Sequence, residues 1–166
     1  MKDLFRFLKF FLIFFAISIL LEIVTLAIES SYLKKFLEAN ILTILLAFLA
    51  INTATLGVIA SKVQEILAKY PNNTFSTTIS EMCFSLKEQV LLLILSLIIL
   101  ICQDSKIIIF AYKDLIFNSA LTAIFFYSIY VLWDTGKAVF IMTNLTNNLS
   151  NVDENSNNTY KKKDSF

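Results

Sequence analysis

The sequence predicts an all-α membrane protein with four transmembrane helices, and three observations lead to this class. Hydrophobic residues make up 57% of the 166 positions, above the roughly 45–50% that is usual for soluble domains. The chain holds only two glycines and one proline, too few for a loop-rich β protein. Its apolar residues fall in runs of about 20, the length of helix that crosses the hydrocarbon core of a bilayer.

The predicted spans are the four longest apolar runs, residues 10–28, 41–60, 86–102 and 115–133. The first run follows three basic residues, but it is longer than the roughly 7–15 apolar residues of a signal peptide. No small-x-small cleavage site follows it, so we expect it to remain as the first helix. Residues 29–40 and 103–114 are then outer loops.

A helical hairpin, residues 61–87, is predicted between the second and third spans. Apolar residues repeat at helical spacing along its first arm, which Pro71 ends. Residues 78–81 read Thr-Ile-Ser-Glu and fit a capping box that starts the second arm. Because the apolar face is long, we expect a partner protein to cover it. The predicted contacts on that face are Val63, Ile66, Tyr70 and Met82.

The placement of lysine and arginine predicts that both termini lie in the cytoplasm. With four spans, ten basic residues fall on the side of the termini and the hairpin, and four fall on the other side. Cytoplasmic segments carry such an excess, so we expect a multi-pass protein of the inner membrane. Residues 1–142 form the predicted transmembrane domain. The Asn-rich residues 143–166 are predicted to be a disordered tail.

Small side chains recur at spacings of three and four along the second span. Such residues let helix backbones approach closely in lipid, where no hydrophobic effect favours helix association. We expect this face to pack helices within and between subunits, and so predict a homo-oligomer. The predicted packing residues are Ala47, Ala50, Ala54, Gly57 and Ser61.

Glu22 lies within the first apolar run. A charged carboxylate in the middle of a bilayer costs on the order of 3 kcal/mol, so it should face a partner or water, or be protonated. Two interpretations remain open: a hydrogen bond to Asn52, Thr53 or another subunit, and a proton, cation or gating site. The predicted intramembrane polar residues are Glu22, Ser18, Thr25, Asn52 and Thr55.

The third and fourth spans differ in polarity. The third is almost uniformly Leu and Ile from Val90 to Cys102, and we expect it to face lipid while the other three supply the polar interior. On the fourth span, the aromatic rings of Tyr130 and Trp133 suit a membrane interface. Asp134 and Lys137, three residues apart, are spaced to form an ion pair there.

No catalytic or cofactor-binding constellation is recognisable. The chain has no histidine and only two cysteines, so we predict no metal site. Residues 134–136 spell the Asp-Thr-Gly of aspartic proteases, but that chemistry needs two copies. Two glycines are too few for a nucleotide-binding loop. Apart from Tyr160, the basic tail lacks the interleaved aromatic residues of a nucleic-acid-binding surface. We therefore expect a protein that is not an enzyme and holds no cofactor.

The layout of residues 1–142 resembles the small membrane subunits of bacterial anti-phage systems, such as the membrane component of the Kiwa system. The resemblance lies in architecture: four spans, short outer loops and a cytosolic helical hairpin. It implies an inner-membrane homo-oligomer that senses infection and acts through a soluble DNA-binding partner.

Two functions therefore remain open from the sequence. One is a non-enzymatic membrane sensor or scaffold that engages a cytosolic protein. The other is a small ion channel or membrane-permeabilising effector, in which Glu22, Ser18 and Asn52 line an aqueous path.

Overall fold

The computed structural model is all helical. It describes the backbone of residues 2–71, 74–107 and 112–163, and the side chains of residues 5–71, 74–107 and 112–145. Within these ranges four helices are long and apolar enough to cross a membrane, which confirms this part of the predicted fold class. In chain order they are α1 (Lys2–Ala27), α2 (Tyr32–Lys69), α3 (Ser76–Asp104) and α4 (Lys113–Lys163).

The connection between α1 and α2 is a tight turn, so the prediction of an outer loop over residues 29–40 is wrong. Glu29 adopts a left-handed φ of 54°, and the Ser30 N–H donates to the Thr25 carbonyl at 2.9 Å. This geometry ends a helix within a single turn. The residues that follow are mostly Leu, Lys, Phe, Glu and Ala; this composition favours helix, and α2 begins at Tyr32.

Pro71 separates α2 from α3, as predicted. Proline disfavours helical angles at the preceding residue, and Tyr70 has φ −129° and ψ 75°. The predicted capping box is wrong, because α3 begins at Ser76 with Phe75 in the N-cap position and without a side-chain capping bond. Thr78, the predicted cap, lies within the first turn of the helix, where the Ile79 N–H donates to the Phe75 carbonyl at 3.0 Å.

The central helix is α4. It packs against α1, α2 and α3, while α2 and α3 also pack against each other. The main hydrophobic core lies along these contacts. Its most completely buried members come from three helices and are Leu37, Ile41, Leu92, Leu121, Ile124 and Tyr127.

The least apolar helix is the most buried one. In its most apolar stretch α4 has the lowest mean hydropathy of the four and is 56% buried, whereas α1 has the highest and is only 11% buried. In water the hydrophobic effect favours the opposite order, because apolar surface leaves the solvent. The four helices and their apolar outer surface suggest a membrane protein.

One difference from the predicted boundaries concerns the far end of α4. The backbone of α4 is helical to Lys163, in contrast to the disorder predicted for residues 143–166. A helix that is already formed extends by one bond per residue without a new nucleus. The side chains beyond Leu145 lie outside the described residues, as do residues 108–111 of the second predicted outer loop.

Candidate functional site

Polar side chains from all four helices meet at the end of the bundle opposite the hairpin. The Glu22 cluster, as we call this group, consists of Glu22, Lys34, Glu38, Gln103, Asp114 and Asn118. The Asn118 amide donates to Glu22 Oε1 at 3.2 Å and accepts from Gln103 Nε2 at 3.0 Å. Gln103 Nε2 also donates to Glu38. Lys34 lies 3.9 Å from the Glu38 carboxylate and 3.6 Å from that of Asp114. One chain of polar contacts therefore joins the four helices.

Glu22 is only 7% exposed, and its partner is not one of the two residues of α2 that the sequence suggested. Asn52 lies in a second cluster, and the Thr53 hydroxyl donates to a carbonyl of its own helix at 2.8 Å. Those two predicted partners are wrong, because α1 packs against α4 and not substantially against α2. Asn118 was missed, although an amide near the start of the fourth apolar run is the signal that could have found it.

The other predicted polar residues of α1 share the face of Glu22. The Thr25 hydroxyl donates to the Glu22 carbonyl at 2.9 Å and lies 3.4 Å from its carboxylate. Ser18 is fully buried, and its hydroxyl has no hydrogen-bond partner in the described part of the chain. Thr55 does not join them, since its hydroxyl donates to the Ile51 carbonyl of α2.

A second group of polar side chains lies near the hairpin. The Glu88 cluster consists of Arg6, Asn52, Glu81, Ser85, Glu88, Tyr127 and Thr135. The Tyr127 hydroxyl donates to Glu88. The Asn52 amide donates to Ser85 Oγ at 3.0 Å, and the hydroxyls of Ser85 and Thr135 are 3.1 Å apart. These contacts connect α2, α3 and α4.

Arg6 is the member of the Glu88 cluster that comes from α1. Its guanidinium donates two hydrogen bonds to the Glu81 carboxylate, at 2.7 and 3.2 Å. It also lies 4.2 Å from the centre of the Phe84 ring, the arrangement of a cation–π contact. A cavity of about 100 Å³ lies beside these residues and is also lined by Glu88 and Asp134.

The expectation that α3 faces lipid while the other three helices supply the polar interior is met only in part. One side of α3 is exposed, with Ile94 at 47% and Ile101 at 63%, but its other side contributes polar residues to the interior. Ser85, Gln89, Leu92, Ser96 and Ile99 follow one another at alternating spacings of four and three, and this face turns towards the interior. Gln89 is 4% exposed and Ser96 is fully buried. The expectation rests on the run from residue 90 to residue 102, and Ser85 and Gln89 lie just before that run.

Buried polar side chains also lie between the two clusters. On α4, Ser119, Thr122 and Ser128 are at most 2% exposed. Ser128 donates to a carbonyl of its own helix, but the Ser119 hydroxyl and both amide atoms of Gln89 have no partner among the described side chains. On α4 the rise from Asn118 to Tyr127 is about 14 Å. Ser119 and Thr122 lie within this stretch, and Ser128 lies at the level of the Glu88 cluster.

The small residues of α2 face away from the bundle. Every position of the predicted packing face is exposed: Ala47, Ala50, Ala54, Gly57 and Ser61. A Cβ atom added to Gly57 would meet no atom within 4 Å. Within the described part of the chain, this face therefore packs against no other helix.

The apolar face of the hairpin is covered by α4 of the same chain. Val63 and Ile66 are 4% and 2% exposed and form a second core cluster with Met142. Tyr70 and Met82, the other two predicted partner contacts, pack against the same cluster. The observation behind the predicted partner surface is therefore explained by packing within the chain.

The predicted interfacial residues of α4 separate into three environments. Trp133 is 66% exposed, whereas Tyr130 packs against Phe10 and Phe14 of α1, with ring centres 5.1 and 5.7 Å apart. Lys137 and Asp134 form the predicted ion pair at 3.0 Å. Only Trp133 thus presents its ring to the surroundings.

The geometry describes a helical bundle with two polar networks, each of which has buried and exposed members. No three His, Cys, Asp or Glu side chains come together as metal ligands within residues 5–71, 74–107 and 112–145. The fold class is that of an all-helical protein with four candidate membrane spans. No protein-family model matches the chain, and no match was found among curated proteins or solved structures.

Proposed function

We propose that this chain is an integral protein of a bacterial inner membrane that crosses the bilayer four times. The burial order supports this proposal, because the most apolar helix has the largest exposed share. The charges support it too. The five ion pairs among the described side chains lie at the two ends of the bundle. Asp114 and Asp134, which mark these ends on α4, are about 30 Å apart by helical rise, the thickness of a hydrocarbon core.

Both termini and the hairpin lie on the cytoplasmic side in this proposal, because that side carries the excess of basic residues. Cysteine labelling in intact cells tests the orientation. In a background without native cysteines, a Ser30→Cys variant should react with a membrane-impermeant maleimide. A variant that retains only Cys83, which is exposed near the hairpin, should react only after the membrane is opened. The reverse pattern would contradict the proposed orientation.

Within the membrane we propose a non-enzymatic sensor or scaffold subunit that forms homo-oligomers. The observation that carries this proposal is the exposed small-residue face of α2. In lipid, small side chains favour close contact between helices, and no other helix occupies this face among the residues that the structure describes.

Gly57→Leu tests the contact between subunits. The added side chain meets no atom of its own chain at the Cβ position, so the monomer should fold, while close approach of two α2 helices is blocked. We expect loss of the cross-linked dimer in native membranes. Gly136→Leu is the matched control, because that glycine also has open space at its Cβ position. An unchanged dimer yield in Gly57→Leu would rule out this interface.

A cytosolic partner belongs to the same proposal, and a role in antiviral defence is suggested by the resemblance in layout. Because Val63 and Ile66 are buried, we propose contact through exposed side chains of the hairpin, such as Ile79 at 51% exposure. Ile79→Asp should reduce the amount of a soluble protein that co-purifies, without changing expression. Equal recovery with the variant would contradict this version.

The second candidate is a small ion channel or membrane-permeabilising effector. It is favoured by the buried polar side chains between the clusters and by their unpartnered atoms. The path would run from Glu22 past Ser18, and Asn52 would line it only near the hairpin. Glu22→Gln should then change ion flux through liposomes that contain the purified protein. Absence of conductance from the unmodified protein would refute this candidate.

A further inference from the structure

A cavity of about 580 Å³ opens beside Glu22, between α1, the turn that follows it, and the start of α4. Glu22 and Asn118, which is 5% exposed, contribute its most buried polar groups. Ile23 and Leu26 provide apolar wall, and the turn contributes the hydroxyl of Ser30. The cavity thus combines a buried carboxylate with an apolar lining and a hydroxyl group.

Glu22 has no counter-cation in the described part of the protein. Its hydrogen-bond donors, Asn118 at 3.2 Å and Thr25 at 3.4 Å, are neutral, and it forms none of the ion pairs found among the described side chains. A buried charge is strongly unfavourable unless an opposite charge compensates it. The cavity is the direction from which a cation can approach.

The lysines that line the cavity are engaged with other groups. Lys34 lies within 4 Å of the carboxylates of Glu38 and Asp114. Lys113 donates to the Ser105 carbonyl. Neither lysine forms an ion pair with Glu22.

We propose that this cavity binds a small organic cation, a primary ammonium group on a short alkyl chain. The ammonium group has three N–H donors, which match the Glu22 carboxylate and the neighbouring hydroxyl and amide oxygens. The alkyl chain lies against Ile23 and Leu26. The volume far exceeds that of a bare alkali ion and suits a ligand of several carbon atoms. This inference goes beyond the proposed function, because such a site is independent of oligomerisation, partner binding and conductance.

The test is calorimetric titration of the purified full-length chain in detergent micelles with n-butylammonium chloride at constant ionic strength. We expect saturable binding, and Glu22→Gln should weaken it at least tenfold while keeping the side chain's size. Glu29→Gln, which removes an exposed carboxylate from the same turn, is the matched control and should bind like the unmodified chain. The neutral isostere n-butanol should give no saturable signal.

A second variant separates loss of binding from loss of fold. Glu22→Asp keeps the charge and should retain affinity within several-fold of the unmodified protein, and all variants should elute from a sizing column at one volume. Equal affinity of Glu22→Gln and the unmodified chain would overturn the proposal. It would be overturned equally by saturable binding of n-butanol, or by no saturable binding of n-butylammonium.

Discussion

Replacement of Asn118 by leucine tests whether the Glu22 cluster stabilises the bundle. The side chain of Asn118 is 5% exposed, and it is the only direct link between Glu22 and Gln103 among the described contacts. The substitution removes a donor from a buried carboxylate and an acceptor from an amide. Glu22 stays buried with only the Thr25 hydroxyl, 3.4 Å away, as a remaining donor. Gln103 is half-buried and keeps its bond to Glu38.

The expected loss is about 2 kcal/mol in the free energy of unfolding. Hydrogen bonds between membrane helices average only about 0.6 kcal/mol. A buried group that is left without its partner costs about 1–3 kcal/mol, and a charged group costs more. Because Glu22 is both buried and acidic, the larger figure applies here. The double variant Glu22→Leu with Asn118→Leu should recover at least half of the loss, since both polar partners are then replaced by apolar side chains.

The assay is unfolding in mixed micelles by increasing mole fraction of sodium dodecyl sulfate, followed by circular dichroism. Asn40→Leu is the control, because Asn40 is exposed and donates only to a carbonyl of its own helix. A loss below about 0.5 kcal/mol for Asn118→Leu would refute the reasoning. So would additive effects of the two leucine substitutions, because additivity indicates that the two side chains do not interact.

Three further predictions use the same assay. Ile66 is 2% exposed, and Ile66→Ala should lower the free energy of unfolding by about 2–4 kcal/mol, as expected for a buried large-to-small change. Ile79→Ala should change it by no more than about 0.5 kcal/mol. Similar losses for the two variants would contradict the packing of the hairpin on α4. Tyr127→Phe should lower the free energy of unfolding by about 1–3 kcal/mol, because it leaves the partly buried carboxylate of Glu88 without its hydroxyl donor. An unchanged free energy of unfolding would mean that this hydrogen bond is not formed. Glu81→Gln should lower the free energy of unfolding by less than about 1 kcal/mol, and this effect should disappear in high salt. The side chains of Glu81 and Arg6 are 56% and 40% exposed, so solvent screens their attraction. A large loss that does not depend on salt would contradict this prediction.

The helices themselves are readable from the sequence, because length and hydropathy alone mark four apolar runs. Boundaries are less readable. Pro71 acts through local geometry and was predicted correctly. The turn after α1 was not predicted, because its only marker is Glu29, which adopts a left-handed conformation without being glycine. Such a conformation is decided by the helices on either side.

Which helices meet is a tertiary property, and the errors in the candidate site follow from it. Glu22 was recognised as a buried carboxylate that needs a partner, but its partner was sought on α2. The sequence gives no direct measure of whether α1 packs against α2 or α4. The position of each polar residue along its apolar run can, however, be read from the sequence. Asn118 lies near the start of its apolar run, as Glu22 lies near the end of its own, and antiparallel spans of similar length bring such residues to one level.

Polar contacts at its two ends define the position of α1. In lipid, apolar contacts between helices have no hydrophobic driving force, so the Phe-rich face of α1 does not by itself determine how the helix is rotated against α4. Glu22 with Asn118 at one end, and Arg6 with Glu81 at the other, are specific in direction and fix that rotation. The first of these contacts lies beside the cavity. A cation bound at Glu22 would therefore act on the least buried helix, the one that the fewest other contacts hold in place.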